Sequence, residues 1–159
     1  MGEVHVKLTI ELVPSTAWNQ SLYNLLPRNE WYNIKNKVFA LEGHRCHICG
    51  DSARTLSLHE FWDYDENTHV QKLMEFHHLC DLCHKIKHIG FWCSTWDGQV
   101  KLRQEGYTRD DLIKHFCKVN GCSAKEFEQH EEEAFRIWNK RSQVEWKQDF
   151  GEYAKFLQK

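Results

Sequence analysis

Cys46-His47-Ile48-Cys49 and Cys80-Asp81-Leu82-Cys83 are two C-x2-C turns separated by the thirty residues from Gly50 to Leu79. Two residues between cysteines let both sulfurs of a turn face one ion, and two such turns supply the four thiolates of a tetrahedral zinc site. Any fold of this chain must therefore bring residue 46 back beside residue 83. The alternatives are four free thiols or a redox pair, but a thioredoxin-like site uses a single reactive C-x-x-C. The chain has seven cysteines, an odd number that excludes a complete set of intramolecular disulfides. Its start, Met1-Gly2-Glu3-Val4-His5, has neither a basic nor an apolar leader segment, so a reducing cytoplasmic setting with metal-bound thiols is expected. Cys93, Cys117 and Cys122 fall outside the pattern and read as small core residues or free thiols.

Around the two turns the chain reads as one soluble α+β unit. Aromatic residues make up 13% and apolar residues 41% of 159 positions, enough for a core, and no apolar run is long enough to cross a membrane. Val4, Val6, Leu8, Ile10 and Leu12 alternate with polar residues, which predicts an N-terminal strand ending at Pro14. Trp31, Ile34, Val38 and Leu41 recur at helical spacing, which predicts a helix over 29–42 capped by Asn29 and stopped by Gly43. Leu56–Trp62 and Thr68–Phe76, joined by an acidic turn, predict a hairpin, with a helix over 81–88. The stretch from Gly90 to Gly106 shows no clear period and is expected to be irregular. Thr108-Arg109-Asp110-Asp111 and Ser123-Ala124-Lys125-Glu126 are helix-capping sequences, so the C-terminal third is expected to form a helical cap, with Phe127, Ala134, Phe135, Trp138 and Trp146 packing inward. The three parts are 1–43, a zinc module over 44–90, and 91–159, within a single domain.

Eight of the eleven histidines lie between His44 and His88. His84 and His88 are four apart, so a helix places them on one face. If the hairpin folds back on that helix, His59 joins them and the three can hold a second divalent ion. A four-cysteine site is coordinatively closed, so any chemistry must come from this second site. The bland reading is that these histidines only knit the zinc module together by hydrogen bonds.

The order of C-x2-C turn, Leu56-Ser57-Leu58-His59-Glu60, hairpin, and Leu79-Cys80-Asp81-Leu82-Cys83-His84 with His88 resembles the ββα-metal motif of HNH endonucleases that carry a four-cysteine zinc site. His59-Glu60-Phe61-Trp62-Asp63-Tyr64-Asp65, Gln71-Lys72-Leu73, Lys87-His88-Ile89-Gly90, Val119-Asn120-Gly121 and Ala134-Phe135-Arg136-Ile137-Trp138 are similar to small bacterial and phage proteins bearing that motif. The resemblance implies a structural zinc on Cys46, Cys49, Cys80 and Cys83. It also implies a second ion (magnesium, manganese, nickel or zinc) on His59 and His84, with His88 as a further ligand. Glu60 stands at the family's general-base position, where histidine is usual, and the middle Asn falls near Glu75 and is missing. Glu60 is a weaker base than imidazole unless burial raises its pKa from about 4.3. Strand alternation puts His59 and Glu60 on opposite faces, and His77 or His78 is an alternative base, only one of which faces a given side.

Two functions follow. One is a metal-dependent endonuclease with His59, Glu60 and His84 as its catalytic set. The other is a catalytically silent HNH derivative that binds nucleic acid or a protein, for example as an accessory or inhibitor in phage and host defence. A net charge of -2 argues against broad electrostatic binding of duplex DNA. It leaves Lys85, Lys87, Lys101 and Arg103 as the local basic cluster. Trp62, Trp92 and Trp96 are available to stack on bases, fill an interface or pack in the core.

Overall fold

The two C-x2-C turns meet because a long hairpin folds between them. A computed structural model describes residues 7–52 and 55–157. Strand β1 (Leu56–Asp65) pairs antiparallel with β2 (Val70–Cys80), from Leu56 opposite Cys80 to Asp65 opposite Val70. That register carries Cys80, the last residue of β2, back to the start of the hairpin. The ladder shifts between Phe61 and Trp62, where Met74 is the extra residue of a bulge on β2. Helix α3 (Asp81–Lys87) follows at once, with Cys80 at its N-cap and the Cys80 sulfur accepting the Cys83 N–H. The expected hairpin and helix are present, with β2 reaching four residues beyond the predicted strand.

Before the hairpin come a 3-10 turn at Ser15–Ala17, the single-turn helix α1 (Leu22–Leu25) and α2 (Arg28–Glu42). Helix α2 begins after Pro27, not at a side-chain cap on Asn29, and ends at Gly43. Its Trp31, Ile34 and Val38 are buried as predicted, but Leu41 is 77% exposed. Beyond α3, the stretch expected to be irregular forms two short helices, α4 (Ile89–Ser94) and α5 (Trp96–Gln104). A weak apolar period hid them; a tight corner makes them. Thr95 donates to the Phe91 carbonyl and accepts the Gly98 N–H, and a Cβ on Gly98 would lie 1.8 Å from the Phe91 oxygen. Helices α6 (Arg109–Asn120) and α7 (Ala124–Arg141) carry the predicted capping boxes at Thr108 and Ser123. The chain then departs from a purely helical cap. β3 (Lys147–Asp149) runs parallel to β2, giving sheet order β1-β2-β3, and a second 3-10 turn spans Gly151–Phe156. Trp146 is buried, but from the loop after α7 and not from the helix.

The predicted N-terminal strand is corrected. Its first positions, Val4 and Val6, lie outside the described residues, and 7–13 forms no strand, bending at Lys7 and Leu8 and then running without regular structure. Helix side chains satisfy its backbone instead. Asn120 Oδ1 accepts from Lys7 and Leu8, Asn120 Nδ2 donates to Leu8 O, and His130 Nε2 accepts the Ile10 N–H. The alternation reports burial all the same, with Leu8 and Ile10 in the core.

Apolar side chains gather in two clusters. One holds Leu79, Cys83, Ile86, Leu102, Leu112, Phe116 and Phe127, joining α3 to α5, α6 and α7. The other holds Leu22, Trp31, Ile34, Val38, Leu58 and Phe76, joining α1 and α2 to the hairpin.

Candidate metal centres

Cys46, Cys49, Cys80 and Cys83 form a cluster able to hold a metal ion, with their four sulfurs all within 4.8 Å of one another. A tetrahedron of sulfurs at a zinc–sulfur distance of ~2.3 Å has edges of about 3.8 Å. The Cys49 and Cys80 sulfurs are 3.7 Å apart, fitting that edge and far beyond a disulfide. Local backbone builds the first turn. Cys46 N–H donates to Asp51 O, Gly50 N–H donates to Cys46 O, and Gly50 sits at φ +78°, where a side chain would be strained. His47 N–H donates to His78 O and fixes this turn on β2. Hydrogen bonding to Cys46 pushes the Cys80 thiol up to about 12, and its bonds to Cys46 and Cys80 together with burial raise Cys83 too. Four thiols this close do not ionise together unless a cation offsets their charge, so the donor set fits a divalent ion. His115 of α6 adds a contact that the sequence did not mark, its Nε2 lying 3.2 Å from the Cys83 sulfur.

His59 on β1, His84 on α3 and His88 just after it form a second donor cluster, also within 4.8 Å. Ring centroids are 5.3 Å apart for His59 and His84, 5.1 Å for His59 and His88, and 4.8 Å for His84 and His88. Burial holds His84 down to about 4 and His88 down to about 3, and lowers His59 as well, so all three rings are neutral at pH 7. Three neutral imidazoles on one point suit zinc, nickel or iron better than magnesium, which prefers oxygen donors. Three protein ligands also leave coordination positions for water or substrate.

These histidines line a cavity of about 550 Å³ that also takes in Thr55–Glu60, Glu11, Lys35, Trp62 and Tyr64. β1 is an edge strand, and the cavity runs along that edge. Residues from both faces therefore reach it, which lets the neighbours His59 and Glu60 share it despite their alternation. Burial pushes the Glu60 carboxyl up to about 7, against the hydrogen bonds that its oxygens accept from the backbone at Leu22 and Tyr23. The contact to Leu22 N is 2.7 Å, so Glu60 also caps α1. A second cavity, of about 570 Å³, lies across His88 and is walled by Trp18, Trp62, Phe91, Phe135 and Trp138.

Other expected residues lie elsewhere. His77 and His78 do face opposite sides, but neither lines the histidine cavity. His77 contacts Glu42, while His78 stacks on Phe39 and bonds Lys35 O. The basic cluster is largely spent inside the fold. Lys85 is buried between Asp81 and Glu105 against Trp92, and Lys87 is buried on Thr9 and Glu11. Trp62 and Trp92 pack against the two cores, and Trp96 is 75% exposed. No helix among the described residues is long and apolar enough to cross a membrane. Comparison of the chain with protein-family models, curated proteins and solved structures finds no match.

Proposed function

We propose that this chain is an HNH-like, metal-dependent phosphodiesterase acting on nucleic acid. In this reading, zinc on the four cysteines is the scaffold and a transition-metal ion on His59, His84 and His88 is the catalytic ion. One observation carries the reading. A histidine from the first hairpin strand and two from the helix after the second strand and its C-cap converge on an open cavity shared with a half-buried carboxylate. That ion would polarise the phosphate and offset charge on the leaving oxygen. Glu60 takes a proton from water as the new P–O bond forms and the ester P–O bond breaks, its burial making it a better base than an exposed glutamate. The departing oxygen takes its proton from solvent. Lys35, the single Lys or Arg among the described residues lining the cavity, offers a charge for the phosphate.

The test is cleavage of supercoiled and single-stranded DNA and of RNA with added manganese, nickel or zinc. Cleavage by the wild type that is lost in His59→Ala and Glu60→Gln supports the reading. No cleavage with any metal overturns it. The silent binding module is favoured by two observations: the Glu60 carboxylate is engaged by α1, and Lys85 and Lys87 are neutralised internally. In that case the same inactive protein retains both metal clusters and the aromatic cavity as a binding face.

A further inference from the structure

A third set of donors lies outside both centres. Glu42 ends α2, His47 sits inside the first C-x2-C turn, and His77 lies three residues before the end of β2. Glu42 Oε1 is 2.5 Å from His77 Nδ1, and Glu42 Oε2 is 3.7 Å from His47 Nδ1. The two imidazoles stack face to face with centroids 3.4 Å apart and planes within 5°, and both Nδ1 atoms lie within reach of the one carboxylate; because parallel rings do not aim two lone pairs at one point, the exposed His47 ring must turn for both to bind one ion.

We infer that Glu42, His47 and His77 form a further binding site for a divalent first-row cation such as zinc. Their donor atoms lie within 4.8 Å of one another, and two imidazoles with one carboxylate are an established donor set for zinc and its neighbours. The protonation pattern of His77 adds a second argument. When Nδ1 carries the proton toward Glu42, the buried Nε2 has no hydrogen-bond partner. Glu75 Oε2 lies 3.1 Å from that nitrogen, off the line of a hydrogen bond, and Glu75 is exposed enough to turn. A cation on Nδ1 moves the proton to Nε2, and Glu75 then accepts it, the arrangement that metal-bound histidines commonly adopt. His47 is 43% exposed, so an ion can enter from solvent and keep water in its remaining positions.

This site is separate from the histidine cavity. His59 and His77 are cross-strand partners, and the Phe61 ring packs edge-on against both, 5.1 Å from His59 and 5.2 Å from His77, but the two donor sets have no residue in common. Paired catalytic ions sit about 3.5–4 Å apart across shared ligands, and these two donor sets share none. The third ion therefore acts as a clamp. It ties the end of α2 to the first C-x2-C turn and to β2, beside the thiolate cluster, and makes that junction responsive to metal supply.

The test is zinc titration of full-length protein after mild chelation that leaves the thiolate-bound ion in place. The His84→Gln variant, with the histidine cavity disabled, is expected to take up one exchangeable zinc and to shift the imidazole NMR signals of His47 and His77. His47→Gln or Glu42→Gln in that background is expected to take up none. His47 is exposed, and Gln at position 42 keeps a hydrogen-bonding group, so both variants are expected to fold. Equal exchangeable zinc with and without His47 or Glu42 overturns the inference, whatever the outcome of the cleavage assay.

Discussion

The thiolate cluster and the histidine cluster sit on the same hairpin and helix, yet they are held in opposite ways. The cysteines are enclosed: three of the four are buried, the first turn is closed by its own backbone and the second by the Cys83 N–H on the Cys80 sulfur, and His115 touches a sulfur from α6. The histidines line an open cavity, and Glu11 and Val13 of the strand-less N-terminal segment form part of its wall. That segment is held by Asn120, His130 and Lys87 side chains. In the proposed reading the enclosed cluster holds a structural ion, and the open one, with three protein donors, leaves room for water or substrate.

Removing a sulfur is the strongest way to break this comparison. Structural zinc in small domains supplies about 10–16 kcal/mol, as much as or more than the ~5–15 kcal/mol net stability of a typical domain. Cys83→Ser is therefore expected to lose bound metal and most of its helical circular dichroism at 25 °C. His84→Ala is expected to keep its fold, lower Tm by only a few degrees, and lose an exchangeable ion, as metal analysis after dialysis will show. Equal destabilisation by the two variants would mean that the histidine site is structural as well.

His115→Ala sharpens the picture at the closed site. Losing the contact 3.2 Å from the Cys83 sulfur is expected to weaken metal retention by about 10- to 100-fold in chelator competition, with the fold intact. The smallest effect concerns the wall of the open site. Burial, then the nearby Lys87 charge, lowers the His130 pKa below 6.5, against the pull of Glu11, and neutral Nε2 accepts the Ile10 N–H. A histidine with a depressed folded pKa contributes stability above its unfolded value and loses it as pH falls through the folded one. Amide exchange at Ile10 is therefore expected to quicken as pH drops from 7.5 to 5, after correction for intrinsic rates, by the equivalent of about 1 kcal/mol. An unchanged corrected rate would show that Asn120 and Lys87 anchor the segment without His130.

Much of the metal geometry was legible because it is local. Cys-x-x-Cys spacing and the four-residue step from His84 to His88 are set by turn and helix geometry. The capping boxes at Thr108 and Ser123 were readable for the same reason. The N-terminal strand was misread because alternating burial is shared by true strands and by any extended segment laid on a core, and what separates them is the backbone partner. Here that partner is Asn120, more than a hundred positions away. α4 and α5 were missed because a contact between their backbones at Gly98 and Phe91 defines them more than an apolar face does. His115 and Glu42 had no local signature at all.

The sequence by itself determined the four-sulfur cluster, the hairpin and helix that close it, and the pairing of His84 with His88, since each follows from short-range backbone geometry. The tertiary structure decided the rest. Folding laid β1 at the sheet edge, so that His59 and Glu60 share one cavity. It buried Lys85 and Lys87 in internal ion pairs, and it packed Phe61 against His59 and His77 alike. Those outcomes depend on which distant surfaces exclude water together, and no local spacing encodes that.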